Sequence, residues 1–302
     1  MNETGKRSIS IPATAVALSW LSALSAAGRA VRRTLRGPWL WLGILVIIGA
    51  IAILSPWIAP HSATLGDLRE RLEGPSASHW LGTDHQGRDV LSRLMVGSRA
   101  TLLVAFLGVA ATGVIGTVLG LIAGYYGKVV DSVIMRAVDL SFAVPALVLA
   151  LALAAIYGPS MTNIVVLVIV VFWGQFARQV RGEVLSVRER EYVEASRAIG
   201  GGSGHIMLRH IFPNVLDSVV VVASLVLGQL VLVEATLSFL GAGIPISTPS
   251  WGRMINDGKS LFDAWWVAVA PGIAIVVVVL SINMLGDWLR DRLDPHLRNR
   301  DA

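Results

Sequence analysis

Apolar residues along this chain fall in long blocks broken by short polar stretches. The first block is Trp39 to Pro60, and the second, Thr101 to Gly127, holds no charge. A single uncharged run from Leu140 to Ala177 is too long for one crossing of a bilayer. Tyr157-Gly158-Pro159-Ser160 cuts it into two halves joined by a tight turn. The fifth block, Val215 to Leu240, is interrupted only by Asp217 and Glu234, and the sixth runs from Ala264 to Gly286. The pattern predicts an all-α membrane protein with six transmembrane helices. Gly116, Gly120 and Gly124 recur every fourth residue in the second span, a stripe that lets another helix approach closely.

Composition agrees with that reading. Of 302 residues 54% are apolar and 15% charged, against roughly 25% charged in an ordinary soluble domain. Mean hydropathy is +0.67. A soluble enzyme, a secreted domain and a disordered chain are excluded on these grounds. Cysteine is absent, which removes disulfides, thiol catalysis and thiolate metal sites. The net charge of +5 reflects basic loops facing anionic headgroups rather than nucleic acid, for which no aromatic-plus-basic module is visible.

Lys and Arg set the orientation. Of 25 such residues, 18 lie on the side shared by the N-terminal tail, the second and fourth connections and the C-terminus, and 7 on the other. Both termini are therefore expected in the cytoplasm. Residues 1–38 form a cytoplasmic or interfacial segment, because Thr14, Ser19, Ser22 and Ser25 dilute the apolar stretch and Arg29 to Arg36 oppose its translocation. Residues 39–60 are the first span, 61–100 an outer loop that turns helical from Asp89, 101–290 the core with five spans, and 291–302 a cytoplasmic tail.

Catalytic signatures are missing. Gly258-Lys259-Ser260 mimics the end of a phosphate-binding loop, but Arg253 stands where the first glycine belongs. None of the six histidines has zinc-ligand spacing, although His79 and His85 share the outer loop. No metal site and no catalytic residue is assigned. Asp139 and Asp217 lie near the cytoplasmic ends of spans. Glu234 lies in a span, near its outer end, where an ionisable residue is either part of a path or locally paired.

The longest internal cytoplasmic loop, Arg178 to Asn214, is the most informative, above all its segment 183–213. Glu183 through Ile199 is helix-compatible, and Gly200-Gly201-Gly202 must break that helix. His205 to Phe212 forms a second amphipathic piece with Ile206, Leu208 and Ile211, ended by Pro213 before the fifth span. Such a helix-turn-helix has little apolar surface for a core of its own and is suited to docking on a partner. The alternative is a solvated loop with ion pairs such as Glu189 to Arg197.

Glu194-Ala195-Ser196, Gly200 and Ile211-Phe212-Pro213 resemble the EAA loop of ABC-importer permeases, with Ser196 for the second alanine and Phe212 for the usual leucine. His79-Trp80-Leu81-Gly82-Thr83-Asp84 with Gly87 to Arg93 is similar to the first outer loop of C-type dipeptide and oligopeptide (peptide/nickel) permeases. Leu237-Ser238-Phe239-Leu240-Gly241, Pro249-Ser250-Trp251-Gly252 and Gly286 to Pro295 also match that subfamily. The likeness spans Trp39 to Arg298.

It implies the type I permease fold in a bacterial inner or plasma membrane. Two homologous permease subunits would form the path, two ATPase subunits would bind below, and an extracytoplasmic binding protein would deliver peptide; lipid is the remaining contact. Glu194, Ala195, Ser196, Arg197 and Gly200 would meet the ATPase, and Glu234 would be a candidate for the path. The chain itself would be no enzyme and bind no cofactor, since ATP and Mg would sit on the ATPase subunits. Nickel or another small solute is the alternative cargo. A secondary transporter fits less well, because no inverted repeat and almost no midplane charge is seen.

Overall fold

A computed structural model of the chain describes residues 38–293. The segment 1–37 and the tail from residue 294, both assigned to the cytoplasm above, lie outside the described residues. The described residues fold mainly into helices, and no strand occurs among them. The helices are α1 (Pro38–Ile58), α2 (Val90–Tyr126), α3 (Lys128–Ala143), α4 (Ala146–Tyr157), α5 (Met161–Val187), α6 (Glu191–Ala198), α7 (Phe212–Phe239), α8 (Trp251–Gly258) and α9 (Trp266–Leu293).

Among the described residues five helical segments are long and apolar enough to cross a membrane, and the bent pair α3–α4 makes a sixth if taken as one span. The third span is therefore not the continuous helix expected from Leu140 to Tyr157. It breaks at Val144-Pro145, where α3 and α4 meet at 74°. The residue before a proline is pushed out of the helical region, and Val144 is extended, with ψ 123°. α4 alone, with 12 residues, is about 18 Å long and too short to cross.

α3 is held against α5 by its polar side. Arg181 forks onto Asp131, with one hydrogen bond of 2.6 Å. Arg178 pairs with Asp139 at 2.7 Å, and Trp173 Nε1 donates to Ser141 at 3.0 Å. Gly158, at φ 79°, closes the turn after α4, and Ser160 caps α5 by accepting from the Asn163 N–H.

The glycine stripe of α2 finds its partner in α5. A methyl group on Gly116 would strike the Trp173 carbonyl, one on Gly120 would lie 2.7 Å from the Ala177 carbonyl, and one on Gly124 would lie 2.6 Å from Val184. α2 and α5 are thus packed backbone to backbone. The main core gathers Val104, Ala105, Leu167, Val168, Leu230 and Val231 from α2, α5 and α7, with Val278 and Ile282 from α9. α1 packs on α2 and α9. With 37 residues, α2 is about 55 Å long and exceeds the bilayer thickness. Its first turns, with Ser92 and Arg93 buried, belong to a cap built with α8 and the 59–89 loop.

Candidate functional site

At the end of the bundle where α2 and α5 finish, the chain turns out and back. The single helix expected over Glu183–Ile199 is interrupted. α5 ends at Val187, residues 188–190 turn, and α6 follows. The turn lets Val193 fold back into a small core with Leu121, Val180, Val184, Val187, Ile206, Ile211 and Val215. The segment thus has an apolar core after all, borrowed from the ends of α2, α5 and α7. Arg188 Nη1 fastens the turn by donating to the Gly124 carbonyl at 2.8 Å.

α6 begins with Glu191 and Glu194 and ends with Arg197, charges that complement the helix dipole. Its C-terminus closes with two bonds. The Gly200 N–H donates to Arg197 O at 3.1 Å and the Gly201 N–H to Ser196 O at 2.9 Å. This is the Schellman pattern with glycine in the left-handed position, and Gly200 has φ 85°. Glu194, Ala195, Arg197 and Gly200 are exposed and Ser196 is half-buried. The Glu189–Arg197 ion pair considered above does not form. Glu189 lies by Arg188, and Arg197 rests over the Tyr125 ring, 5.8 Å from its centre. Ile199 is 88% exposed and Leu208 69%. Sequence reading places Leu208 in the piece suited to docking but gives Ile199 no such role, although an apolar residue beside a glycine break is a visible signal.

Pro213 does not end the preceding piece. Ser203 to Phe239 is one helical run, with a π-helical stretch at Ile206–Ile211. The Phe212 N–H donates to Met207 O, and this wider turn admits a ring that has no N–H to give.

Glu234 is fully buried. Its Oε1 accepts from Ser238 Oγ at 2.6 Å, and Thr101 and Ser250 present hydroxyls beside it. Ser238 Oγ in turn accepts from the Ile244 N–H at 3.1 Å. In this conformation the carboxyl lies beneath the 240–250 loop, inside the protein. Among the in-span polar groups that do reach a surface are amides. Gln175 bonds Gln229 at 3.3 Å, and Gln229, Asn283 and Asp287 line a cavity between α7 and α9. Glutamine and asparagine within apolar runs are legible in the sequence but carry no charge to draw attention.

The opposite end is held by charge. Arg88 Nε bonds Asp84 at 2.7 Å, Arg93 also reaches Asp84, and Arg93 Nη2 bonds Asp257 at 3.0 Å. Arg253 closes on Asp257 at 3.2 Å. Burial pushes the Asp84 carboxyl up, but Arg93, the Arg88 and Gln86 backbone N–H groups and the Arg88 charge outweigh it and hold the group below its ordinary value of 3.8. Trp266 Nε1 donates to Thr83 O at 3.1 Å and Trp251 Nε1 to Leu94 O at 3.0 Å. The Gly258-Lys259-Ser260 triplet is only the end of α8, with Lys259 over the Phe239 ring. His79 is joined by His61 and Asp89, not by His85.

The described residues thus form a broken bundle of apolar helices with an exposed, rigidly capped loop at one end. Residues 116–299 match the family described as binding-protein-dependent transport system inner membrane component. The dipeptide transport system permease protein DppC of Alkalihalophilus pseudofirmus is 41% identical over 85% of this chain and 86% of its own length. The probable D,D-dipeptide transport system permease protein DdpC of Escherichia coli is 40% identical over 83% and 85%. The glutathione transport system permease protein GsiD of Pectobacterium atrosepticum is 42% identical over 85% and 86%. A chain of the inward-facing MetNI methionine ABC transporter superposes with a TM-score of 0.56 at 21% identity, over 67% of this chain and 96% of that one. The fold is shared with that transporter.

This chain belongs to the binding-protein-dependent transport system inner membrane component family. It is a multi-pass bacterial inner-membrane protein, an ABC-transporter permease of the peptide-permease type.

Proposed function

We propose that this chain is one of two permease subunits of an ATP-driven importer for dipeptides or oligopeptides. Both termini and α6 face the cytoplasm, and the 59–89 loop and α8 face outward, as the Lys and Arg distribution requires. α6 through Gly200 is the coupling element. Glu194, Ala195, Ser196 and Arg197, with the exposed Ile199, seat in an ATPase subunit, while Mg and ATP bind to that partner and not to this chain. Closure of the ATPases pushes α6 and, through the Val193–Ile211 core, tilts α5 and α7, a two-state rocking of the spans.

One observation carries this reading. The loop bearing the Glu-Ala-Ser sequence is an exposed helix held rigidly on the span ends by buried valines and isoleucines and by the Arg188–Gly124 bond. A solvated linker needs no such core; a push rod does. Peptide cargo is supported by the relatives, whose names give dipeptide, D,D-dipeptide and glutathione transport. The path runs along the Gln175–Gln229–Asn283 face, and Glu234 joins it only when the 240–250 loop lifts.

The test is uptake by proteoliposomes holding the complete complex, with the binding protein outside and ATP within. Labelled dipeptide should accumulate and labelled nickel should not. Nickel accumulation without dipeptide would replace the cargo, and uptake without ATPase subunits would remove the importer reading altogether.

A further inference from the structure

Three side chains far apart in sequence converge at the loop end of the bundle. His61 follows α1, His79 stands on a tight turn, and Asp89 caps α2. Each offers one donor atom, and the three lie within 4.8 Å of one another. His79 Nδ1 is 2.9 Å from Asp89 Oδ1, His61 Nδ1 is 3.9 Å from Asp89 Oδ2, and the two imidazole centres are 4.6 Å apart.

We propose that His61, His79 and Asp89 bind a divalent transition-metal ion, with zinc the best match, and that Glu70 orients the His79 ring from behind. Two imidazole nitrogens and one carboxylate oxygen are donors for zinc, nickel, cobalt or copper rather than for magnesium or calcium. Zinc bonds of 2.0–2.1 Å in a tetrahedral set place donors about 3.3 Å apart, so His61 must close in from 3.9 Å while His79 and Asp89, now 2.9 Å apart, part slightly. His61 is the member free to move, with its side chain 43% exposed while Asp89 is 2% exposed. The fourth position faces solvent on the His61 side.

The surroundings are built for it. Glu70 Oε2 lies 3.3 Å from His79 Nε2, the carboxylate–histidine arrangement that fixes a ligating ring with its other nitrogen toward the metal. Asp89 and Glu70 together balance a dication when both rings are neutral. The two histidine backbones are fixed independently of their side chains, and the Asp89 carboxylate is itself oriented. The His61 N–H donates to Ser92 Oγ at 3.0 Å, the His79 N–H to Ser76 Oγ at 3.1 Å, and Asp89 Oδ2 accepts from the Ser92 N–H at 2.7 Å. A bound ion would staple the start of the loop to the start of α2.

Zinc is titrated into the purified, tag-free complex against a chromophoric chelator, and cobalt is substituted to read coordination from its visible spectrum. One saturable zinc site per chain is expected, with affinity at least tenfold lower in His61→Ala and recovered in His61→Cys, which restores a donor. Zinc should also slow proteolysis of the 59–89 loop in the wild type and not in His61→Ala. Absence of a saturable site in the wild type, equal affinity in wild type and His61→Ala, or no recovery in His61→Cys overturns the proposal.

Discussion

Arg93 at the start of α2 bonds Asp257 in α8 at 3.0 Å and also holds Asp84, closing one end of the bundle over residues 164 apart in sequence. Arg93 and Asp84 are both fully enclosed. Their charges are tolerable only because each neutralises the other.

Asp257→Asn leaves Arg88 and Arg93 sharing Asp84 and takes from Arg253 its carboxylate partner. Breaking a buried pair in this way costs on the order of 3–5 kcal/mol. The expected result is lower thermal stability of the purified complex and early proteolysis within residues 59–89, read by mass spectrometry. Unchanged stability would show that the cluster is not a clamp. Asp84 gives the pH sign. Its carboxyl is held below 3.8, so its contribution is present above that value and is lost as pH falls through the lower folded value. Loop protection should therefore persist at pH 5 and fail only in stronger acid.

Gly120 faces the Ala177 carbonyl with no space for a methyl group. Gly120→Leu must part α2 from α5, and overpacking of this kind costs about 1–3 kcal/mol or more. Reduced yield of folded protein and a lower melting temperature are expected. Gly158→Ala, which meets no neighbour but sits at φ 79°, should cost only about 1 kcal/mol. Equal effects of the two would contradict the packing.

Orientation is checked by a reporter active only outside the cytoplasm. Fusions after Ala63 and Ser260 should be active, and fusions after Ser203 and Arg298 silent. Activity after Ser203 would reverse the topology and remove α6 from the ATPase side.

The spans are legible in the sequence because an uncharged run near bilayer length is rarely anything but a membrane helix. Gly200 is legible as a break, and its left-handed geometry follows from helix capping. Less is visible where distant residues cooperate. The core under α6 draws Leu121, Val184, Val193 and Ile211 from four separate stretches, so the loop alone shows too little apolar surface to reveal it. Pro145 is in plain view, yet the apolar run around it hides the bend. Pro213 looks like a stop, because a local rule cannot foresee the π-helical turn that admits it. Nearness in sequence pairs His79 with His85, whereas the fold supplies His61.

The coupling role of α6 is tested most directly by the ATPase activity of the reconstituted complex, measured with and without loaded binding protein, alongside peptide uptake, for Glu194→Lys and Gly200→Leu. Glu194 is exposed, and no described residue lies within 4 Å of a methyl group placed on Gly200, so a side chain there costs only the local strain of its φ of 85°, about 1 kcal/mol. Both variants should therefore insert and pair with the second permease normally. Loss of about 2.8 kcal/mol at the ATPase contact is a hundredfold in affinity. Stimulated ATPase activity and uptake should both collapse, while peptide still binds the separate binding protein. Full stimulation and full uptake in both variants would show that α6 does not transmit the power stroke.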